Sequence, residues 1–140
     1  MMRLEVSNFG PIKRCSFDVK SYMVLIGPQG AGKSTLSKLI YYCLNLRDEI
    51  ASYILETYEI SERLELQGLN QRLMVLFRDF FGPTPHPNDL KIKFDYGNNN
   101  NLTITCQPSD NRFVFFRFND EMRNQLFDLF NELRSMRHKQ

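Results

Sequence analysis

The stretch GPQGAGKST, residues 27–35, decides the interpretation of this chain, and it directly follows the apolar run YMVLI at residues 22–26. It matches the phosphate-binding pattern G-x-x-x-x-G-K-[ST], in which Gly27 and Gly32 are the fixed glycines. Glycines let successive backbone N–H groups converge on a phosphate because no Cβ stands in the way. Lys33 is expected to reach the outer phosphates, and the Ser34 hydroxyl is expected to take one position on a Mg²⁺ ion. A Gly-rich turn between a strand and a helix is the alternative reading of the same stretch.

The composition is typical of a single globular domain. The chain has 140 residues, 42 % of them hydrophobic and 24 % charged, with a formal net charge of +2 that does not single out nucleic acid as a partner. Three widely spaced cysteines argue against a disulfide framework or a zinc site and favour a reducing, intracellular setting. The start has no apolar leader and no apolar run has membrane-spanning length, so we expect a cytoplasmic protein that does not enter a membrane.

Hydrophobic periodicity predicts three strands and a helix around the loop. Residues 3–7 and 14–20 alternate polar with apolar, which predicts two half-buried strands joined by a short connection. Residues 22–26 are apolar on both faces, which predicts a strand in the middle of a covered sheet. From Lys33 the period lengthens to that of a helix, with its apolar stripe at Leu36, Leu39, Ile40, Cys43 and Leu44.

Two more helical stripes follow Arg47. The first contains Ile50, Ile54 and Tyr58, and the second contains Leu73, Leu76, Phe77 and Phe80. The second stripe ends at Gly82 with a proline directly after it, which is a helix-stop signal. Gly68 and Asn70 are expected to separate the two helices. The proline-containing stretch at 83–88 then predicts a change from helices to strands.

The C-terminal part is predicted to form a hairpin, a further strand and a helix. Residues 90–96 and 102–106 alternate around Gly97 and the asparagines at 98–101, which predicts a β-hairpin. A third strand is expected at 112–118. The final helix has Asn119 or Asp120 as its N-cap, and the basic residues near its end, Arg134, Arg137, His138 and Lys139, are interpreted as a solvated helix terminus.

This order of parts resembles the start of the ABC-type and SMC-like ATPases, among them RecF-like, overcoming-lysogenization-defect-like and bacterial AAA-family proteins. The resemblance rests on NFGPIK at residues 8–13 and on the loop itself, and it is strong over residues 2–45. It implies an α/β P-loop NTPase fold, the N-terminal half of an ABC-ATPase-like domain, with a mixed sheet in one domain over residues 1–140. It also implies that ATP and Mg²⁺ bind at Gly27, Pro28, Gln29, Gly30, Ala31, Gly32, Lys33, Ser34 and Thr35, with Ser34 on the metal.

The resemblance further implies a base-contacting loop after the first strand. Gly10 stands after the aromatic Phe9, where relatives often have a basic residue, and Lys13 is the candidate replacement. The usual loop of this class reads GPNGSGKST, so that Gln29 and Ala31 depart from it. DNA remains open as a partner of the complete protein, because many SMC-like ATPases act on it.

The second half of such a catalytic site is not recognisable in the sequence. Phosphoryl transfer to water needs an Asp that holds Mg²⁺ and a Glu that orients the attacking water. The nearest candidates, LFRD at 76–79 and FRFNDE at 116–121, have an arginine close before the acid, and no LSGGQ-like signature is present. Gln107 and Gln125 are the candidates for a glutamine that senses metal and water. We therefore expect an N-terminal half that binds nucleotide weakly, hydrolyses it very slowly and is completed by a C-terminal half in cis or in trans.

Two other function classes compete with this interpretation. A small P-loop kinase is one, because GPxGAGK also resembles the loop of such kinases. A nucleic-acid-binding module is the other, because RFVFFRF at 112–118 resembles a strand on which bases stack, although phenylalanines in a strand are more often core residues. For Phe127 and Phe130, a position in an interface with another part of the protein and a position in the core both remain open.

Overall fold

The computed structural model of the chain describes residues 2–19 and 32–138. These residues form, in order, β1 (Met2–Phe9), β2 (Ile12–Val19), α1 (Lys33–Ile60), α2 (Leu66–Phe81), β3 (Lys91–Gly97), β4 (Asn100–Gln107), β5 (Asp110–Phe118) and α3 (Asp120–His138). The strand predicted at residues 22–26 lies outside the described residues. None of the helices in this part of the chain combines the length and the apolar character needed to cross a membrane.

The five described strands form one sheet in the order β2-β1-β3-β4-β5. The register places Leu4, Phe94, Leu102 and Phe118 side by side across four strands. Side chains alternate between the two faces of a strand, so this row shares a face with the row that lies two residues away along each strand. The residues of both rows are buried on that face. Every pairing among the described strands is antiparallel, so the parallel part of the predicted mixed sheet stays a prediction.

In the described part of the chain, the helices lie against one face of this sheet, and the other face is mainly polar. Helix α1 contacts both α2 and α3, while α2 lies against β5 and α3 reaches β4. The Tyr96 hydroxyl of β3 donates a hydrogen bond of 2.8 Å to the Cys43 carbonyl, which joins the sheet to α1. On the uncovered face Arg3 pairs with Asp18 at 3.0 Å, both half-exposed. The architecture is therefore a two-layer α/β arrangement with its core between the sheet and the helices.

The boundaries of the first two helices differ from those predicted. Helix α1 runs without interruption to Ile60, past Arg47, and the connection to α2 lies at residues 61–65. Gly68 and Asn70 do not separate two helices, because both lie inside α2. Asn70 has a tertiary role there: its side-chain amide donates to the Phe116 carbonyl oxygen at 2.6 Å and accepts from the Phe116 N–H at 3.0 Å. A contact from a distant strand thus outweighs the low helix propensity of these two residues.

The predicted hairpin is confirmed, with a tighter turn than the sequence suggested. Strand β3 includes Gly97 and β4 begins at Asn100, so the connection consists of Asn98 and Asn99. Both have positive φ, 54° and 62°, as a two-residue turn of type I′ requires. Asn119 is confirmed as the N-cap of α3, since its Oδ1 accepts the Met122 N–H at 3.1 Å.

Two basic side chains near the end of α3, Arg134 and Arg137, bind the end of α1, although Arg137 is itself exposed as predicted. The Arg134 guanidinium donates to the Ser61 carbonyl oxygen, and that of Arg137 donates to the Glu59 carbonyl oxygen. Carbonyl groups at a helix C-terminus lack intrahelical partners and attract cations. In the same helix Phe130 is a core residue, 1 % exposed, and Phe127 is partly buried against the core.

Candidate functional site

The N-terminus of α1, at the end of the GPQGAGKST motif, presents amide groups that have no partner within the helix. Gly32 is the N-cap residue, with φ 88° and ψ 8°, and its carbonyl accepts the first helical hydrogen bond, from the Leu36 N–H at 2.8 Å. The first N–H groups of a helix have no intrahelical partner. No acidic residue stands in the first turn, so the positive end of the helix dipole is not offset locally. Predicted residues Gly27, Pro28, Gln29, Gly30 and Ala31 lie outside the described part of the chain.

Gly32 lies directly against the turn between β1 and β2. A Cβ atom added to Gly32 would lie 3.0 Å from Ile12 Cγ1 and 3.7 Å from Pro11 Cγ. The same turn also approaches α1 at Gly10, where an added Cβ atom would lie 3.9 Å from Cγ2 of Thr35. Glycine at position 32 therefore serves two physical needs, a left-handed backbone and close packing of the helix start on the turn.

Replacing Gly32 with alanine is expected to lower the free energy of unfolding by about 1 to 2 kcal/mol, because a Cβ is unfavourable in left-handed backbone and here also meets Ile12. Urea denaturation monitored by circular dichroism measures the change. Gly10→Ala is the matched control, since Gly10 also has positive φ but only an ordinary contact at its Cβ position. We expect Gly10→Ala to lose less stability than Gly32→Ala. If Gly32→Ala were as stable as the wild type, the two physical needs for glycine at position 32 would be contradicted.

A cavity of about 430 Å³ opens beside the first two turns of α1, and we call it the α1 recess. Its size is within the range of small-molecule sites. Its walls come from the β1–β2 turn, from α1, from the end of α2 and from the connection to β3, and the side chains involved are Phe9, Gly10, Ser34, Thr35, Lys38, Phe81 and residues 84–87. Lys38 is the one charged residue among these wall residues, and none of them is a carboxylate.

Hydrogen bonds to the backbone hold the outer wall of the recess in place. The Asn8 side-chain amide donates to the Asp89 carbonyl oxygen at 3.3 Å, which ties the β1–β2 turn to the α2–β3 connection. The His86 N–H donates to the Asn111 carbonyl oxygen at 2.9 Å, and the Leu90 N–H donates to that of Pro87 at 3.0 Å. These bonds anchor the wall to β1 and to β5.

The structure brings together some of the residues predicted for the site and separates others. Ser34 and Thr35 line the recess together with Phe9 and Gly10 of the predicted base-contacting loop, whereas Lys13 does not line it. Neither candidate glutamine is nearby. Gln107 faces a second groove, between α2 and β5, where its amide donates to the Val114 carbonyl oxygen at 3.3 Å. Gln125 bonds to Glu121 on α3 at 3.2 Å.

The acidic candidates for the missing catalytic pair also lie away from the recess. Asp79 is exposed on α2, and Asp120 and Glu121 are exposed at the start of α3. None of these three lines the α1 recess. Across residues 2–19 and 32–138 no three His, Cys, Asp or Glu side chains are grouped closely enough to hold a metal ion.

Sequence reasoning did not place six wall residues of the recess in the site: Lys38, Phe81, Thr84, Pro85, His86 and Pro87. His86 is 9 % exposed, and its ring lies 5.9 Å from that of Phe9 and 5.7 Å from that of Phe77. Burial lowers the pKa of His86 below the ordinary value for histidine. The only sequence signal was a histidine between two prolines, which fixes a turn but does not indicate what the turn faces.

The phenylalanine-rich strand supports the core interpretation. Val114, Phe116 and Phe118 of β5 are buried against the helices, while Phe115 on the other face is 43 % exposed. A stacking surface for bases needs several exposed rings. The nucleic-acid-binding alternative therefore receives no support from this strand.

A family model described as an AAA ATPase domain matches residues 1–139. This chain belongs to the AAA ATPase domain family. Membership implies nucleotide binding, and it favours neither a small kinase nor a nucleic-acid-binding module as the primary function. Searches of curated proteins and of solved structures gave no match. In this AAA ATPase domain the match extends from β1 to α3 and includes the phosphate-loop motif.

Proposed function

We propose that the chain binds a nucleoside triphosphate with Mg²⁺ through residues 27–35, as the N-terminal half of an ABC-type or SMC-like ATPase. The observation that carries the proposal is the start of α1. At the end of the GPQGAGKST motif, Gly32 has a left-handed conformation, the first amides of α1 lack partners within the helix, and the first turn contains no acidic residue. This combination attracts phosphate. The family match over residues 1–139 supports the nucleotide-binding part of this proposal.

Each residue of the loop's second half has a distinct role in this proposal. The amides of Lys33, Ser34 and Thr35 point along the helix axis toward the phosphates. The Lys33 ammonium adds a compact positive charge for the outer phosphates. In this proposal, the motif residues Gly27 to Ala31 would supply further backbone N–H groups to the phosphates.

The protein groups around Ser34 suit Mg²⁺, which binds few protein ligands, better than they suit a metal ion that is coordinated only by protein side chains. The Ser34 side chain is exposed at the helix start, and the described residues contain no cluster of protein ligands. Mg²⁺ commonly keeps several waters and binds substrate phosphates with one or two protein oxygens. Bound there, the ion would neutralise phosphate charge, with Ser34 as its protein ligand.

The proposed site has no acidic partner for hydrolysis among the residues that line the recess. Phosphoryl transfer needs positioned water and neutralised charge, and acidic side chains usually supply part of both. We therefore propose that the C-terminal half of the ATPase, in cis or in trans, supplies the acidic pair. DNA is a proposed partner of the complete protein on the basis of the SMC-like resemblance alone.

Lys33→Ala tests the proposal directly. Loss of a charge-assisted contact with phosphate is expected to weaken ATP binding by roughly 10-fold to 100-fold in the presence of Mg²⁺. Isothermal titration calorimetry with the 140-residue chain measures the affinity. Lys91→Ala is the control with the same change in charge, because Lys91 is an exposed residue of β3 outside the recess. Equal losses in the two variants would contradict the proposed site.

The wild type and Lys33→Ala together also test the proposal that this chain contains only half of the catalytic site. The wild-type chain is expected to hydrolyse ATP far more slowly than about one turnover per second, the low end of typical enzyme rates. A colorimetric phosphate assay under single-turnover conditions detects such slow release. Turnover near one per second that disappears in Lys33→Ala would show that this chain alone contains a complete catalytic site.

A further inference from the structure

A groove of about 590 Å³ follows the edge of the described sheet between α2 and β5, and we call it the α2–β5 groove. One wall is formed by the N-terminal half of α2, and the other is formed by residues 115–118 of β5. Gln107 of β4 and Arg123 of α3 complete the walls. The groove shares no wall residue with the α1 recess, so it is a different surface from the one next to the phosphate-loop motif.

The walls of the α2–β5 groove carry two positive charges and no carboxylate. The charges belong to Arg117 and Arg123, which are both exposed. In the described part of the chain no carboxylate forms an ion pair with Arg117. Arg123 pairs with Asp120 at 2.5 Å, but the Asp120 side chain is 87 % exposed, and exposed ion pairs contribute little. Both guanidinium groups can therefore accept a carboxylate from another molecule.

Apolar side chains lie beside these charges in the same groove. Phe115 is 43 % exposed, which is high for a phenylalanine, and Leu66 and Met74 of α2 are only partly buried. Aromatic residues, Met and Arg are the types that are enriched where proteins bind one another. The groove thus suits a ligand that presents an apolar side chain next to carboxylates.

The amide groups of the groove favour a peptide over a nucleic acid as that ligand. Gln67 and Gln71 are exposed wall residues of α2, and a side-chain amide can both donate to and accept from a peptide group. A single-stranded nucleic acid needs several stacking rings and a basic track along its backbone. Among the wall residues of the groove, Phe115 is the one exposed ring and the two arginines are the only basic side chains.

We propose that the α2–β5 groove binds an acidic peptide segment of another protein, with carboxylates on Arg117 and Arg123 and an apolar side chain against Phe115. The Asn70 amide already occupies both backbone groups of Phe116. Side chains therefore hold the segment, and it does not pair along β5 as a further strand. This inference goes beyond nucleotide binding and does not depend on it, because the groove and the recess have separate walls.

Fluorescence anisotropy with two labelled peptides tests the charge requirement. One peptide is a repeat of the sequence DFDL and the other is the same repeat of NFNL, so that they differ only in charge, and the repeat presents several registers to the groove. The 140-residue chain is expected to bind the acidic peptide about 10-fold or more tightly than the neutral one, the range for a charge-assisted hydrogen bond. Higher ionic strength is expected to reduce this difference.

Arg117→Ala tests where the acidic peptide binds. It is expected to weaken binding of the acidic peptide by about 10-fold and to leave binding of the neutral peptide unchanged. Arg112→Ala is the control with the same change in charge, because Arg112 is an exposed residue of the same strand outside the groove. Phe115→Ala is expected to weaken both peptides, since the contact with the ring does not depend on charge. Thermal unfolding by circular dichroism checks that each variant is folded.

Several outcomes would overturn the proposal. Equal affinities of the wild type for the two peptides would remove the charge requirement, and equal losses in Arg117→Ala and Arg112→Ala would remove the groove. Loss of the acidic peptide in Lys33→Ala would place that peptide at the start of α1 instead. Single-stranded DNA that bound more tightly than the acidic peptide, with the same loss in Arg117→Ala, would assign the groove to nucleic acid.

The same measurements separate this inference from the proposed function. A chain that bound the acidic peptide at the groove but did not bind ATP would refute the nucleotide site and support the peptide site. A chain that bound ATP and discriminated neither peptide would refute the peptide site alone.

Discussion

Tyr42→Ala is expected to lower the free energy of unfolding by about 3 to 5 kcal/mol, the range for removing a large buried aromatic side chain. Tyr42 of α1 is fully buried, and its ring lies 5.4 Å from Phe77, 5.3 Å from Phe80 and 5.7 Å from Phe81. These three rings belong to α2, so the tyrosine carries much of the contact between the two helices. Such a loss is a large fraction of the stability of a typical domain.

The hydroxyl group of Tyr42 contributes separately from its ring. It donates a hydrogen bond of 2.9 Å to the Leu73 carbonyl oxygen of α2. Burial raises the pKa of Tyr42 above its ordinary value, so the hydroxyl remains a donor at neutral and moderately alkaline pH. Tyr42→Phe removes this bond alone and is expected to cost about 0.5 to 1.5 kcal/mol.

Tyr41→Ala is the matched control for the ring. Tyr41 precedes Tyr42 in the same helix and is 64 % exposed. Its replacement is expected to change stability by less than about 1 kcal/mol, because little apolar area leaves the core. Urea denaturation of the three variants and the wild type measures all the effects. A loss for Tyr41→Ala as large as that for Tyr42→Ala would contradict the packing described for α1 and α2.

The pair Tyr41 and Tyr42 also illustrates what the sequence could predict about the fold. The stripe at Leu39 and Cys43 was recognised correctly, and both residues are buried. Tyr42, which is buried beside them, was not included in that stripe. Tyrosine is found both inside and outside proteins, so only the neighbours in space decide between two adjacent tyrosines. Periodicity thus located the helix, but the full extent of its buried face required the packing of α2.

The strands were easier to predict because alternation directly encodes their two faces. Alternation predicts both the hairpin around Asn98 and Asn99 and the strand that ends at Phe118, and the structure confirms both. The order β2-β1-β3-β4-β5 was not predicted, since β1 pairs with β3 across more than 80 residues of chain. Contacts of this range leave no local trace in the sequence.

The candidate site shows the same division between local and distant information. Spacing within nine residues predicts a phosphate-binding role for Lys33, Ser34 and Thr35, and that role stays a prediction. The positions of His86 and Phe81 could not be predicted, because they reach the start of α1 only through the fold of the α2–β3 connection. At Gly10 the sequence differs from the families that it resembles. The structure places Gly10 in the wall of the recess, which the sequence alone does not indicate.

Asn70 provides the second large effect that we expect. Strand β5 is at the edge of the described sheet, and the side chain of Asn70 pairs with both backbone groups of Phe116 much as a neighbouring strand would. Asn70→Ala removes two hydrogen bonds and leaves a donor and an acceptor of a buried residue without their partner. We expect the free energy of unfolding to fall by about 2 to 4 kcal/mol, since unpaired buried groups cost more than the bonds themselves contribute.

Asn70→Asp separates the two bonds. The carboxylate can still accept the Phe116 N–H, but its second oxygen faces the Phe116 carbonyl where the amide previously donated. Two acceptors at this distance repel, so at neutral pH we expect a loss comparable to that of the alanine variant. The repulsion raises the pKa of this carboxyl in the folded protein above its ordinary value of about 4, so protonation restores a donor and part of the stability returns as the pH falls from neutral to about 4. Urea denaturation of Asn70→Asp and Asn70→Ala at both pH values measures the difference.

Gln71→Ala is the control for the edge contact, because Gln71 is the exposed next residue of α2 and makes no bond to β5 among the described residues. We expect it to retain nearly the full stability of the wild type. Freed backbone groups on an edge strand also invite pairing with another chain. Size-exclusion chromatography of Asn70→Ala is therefore expected to show self-association at high concentration. A monomeric Asn70→Ala with the stability of the wild type would contradict this role of Asn70. Water would then replace the amide at Phe116 without loss of free energy of unfolding, and α2 would protect β5 by its position and not by this side chain.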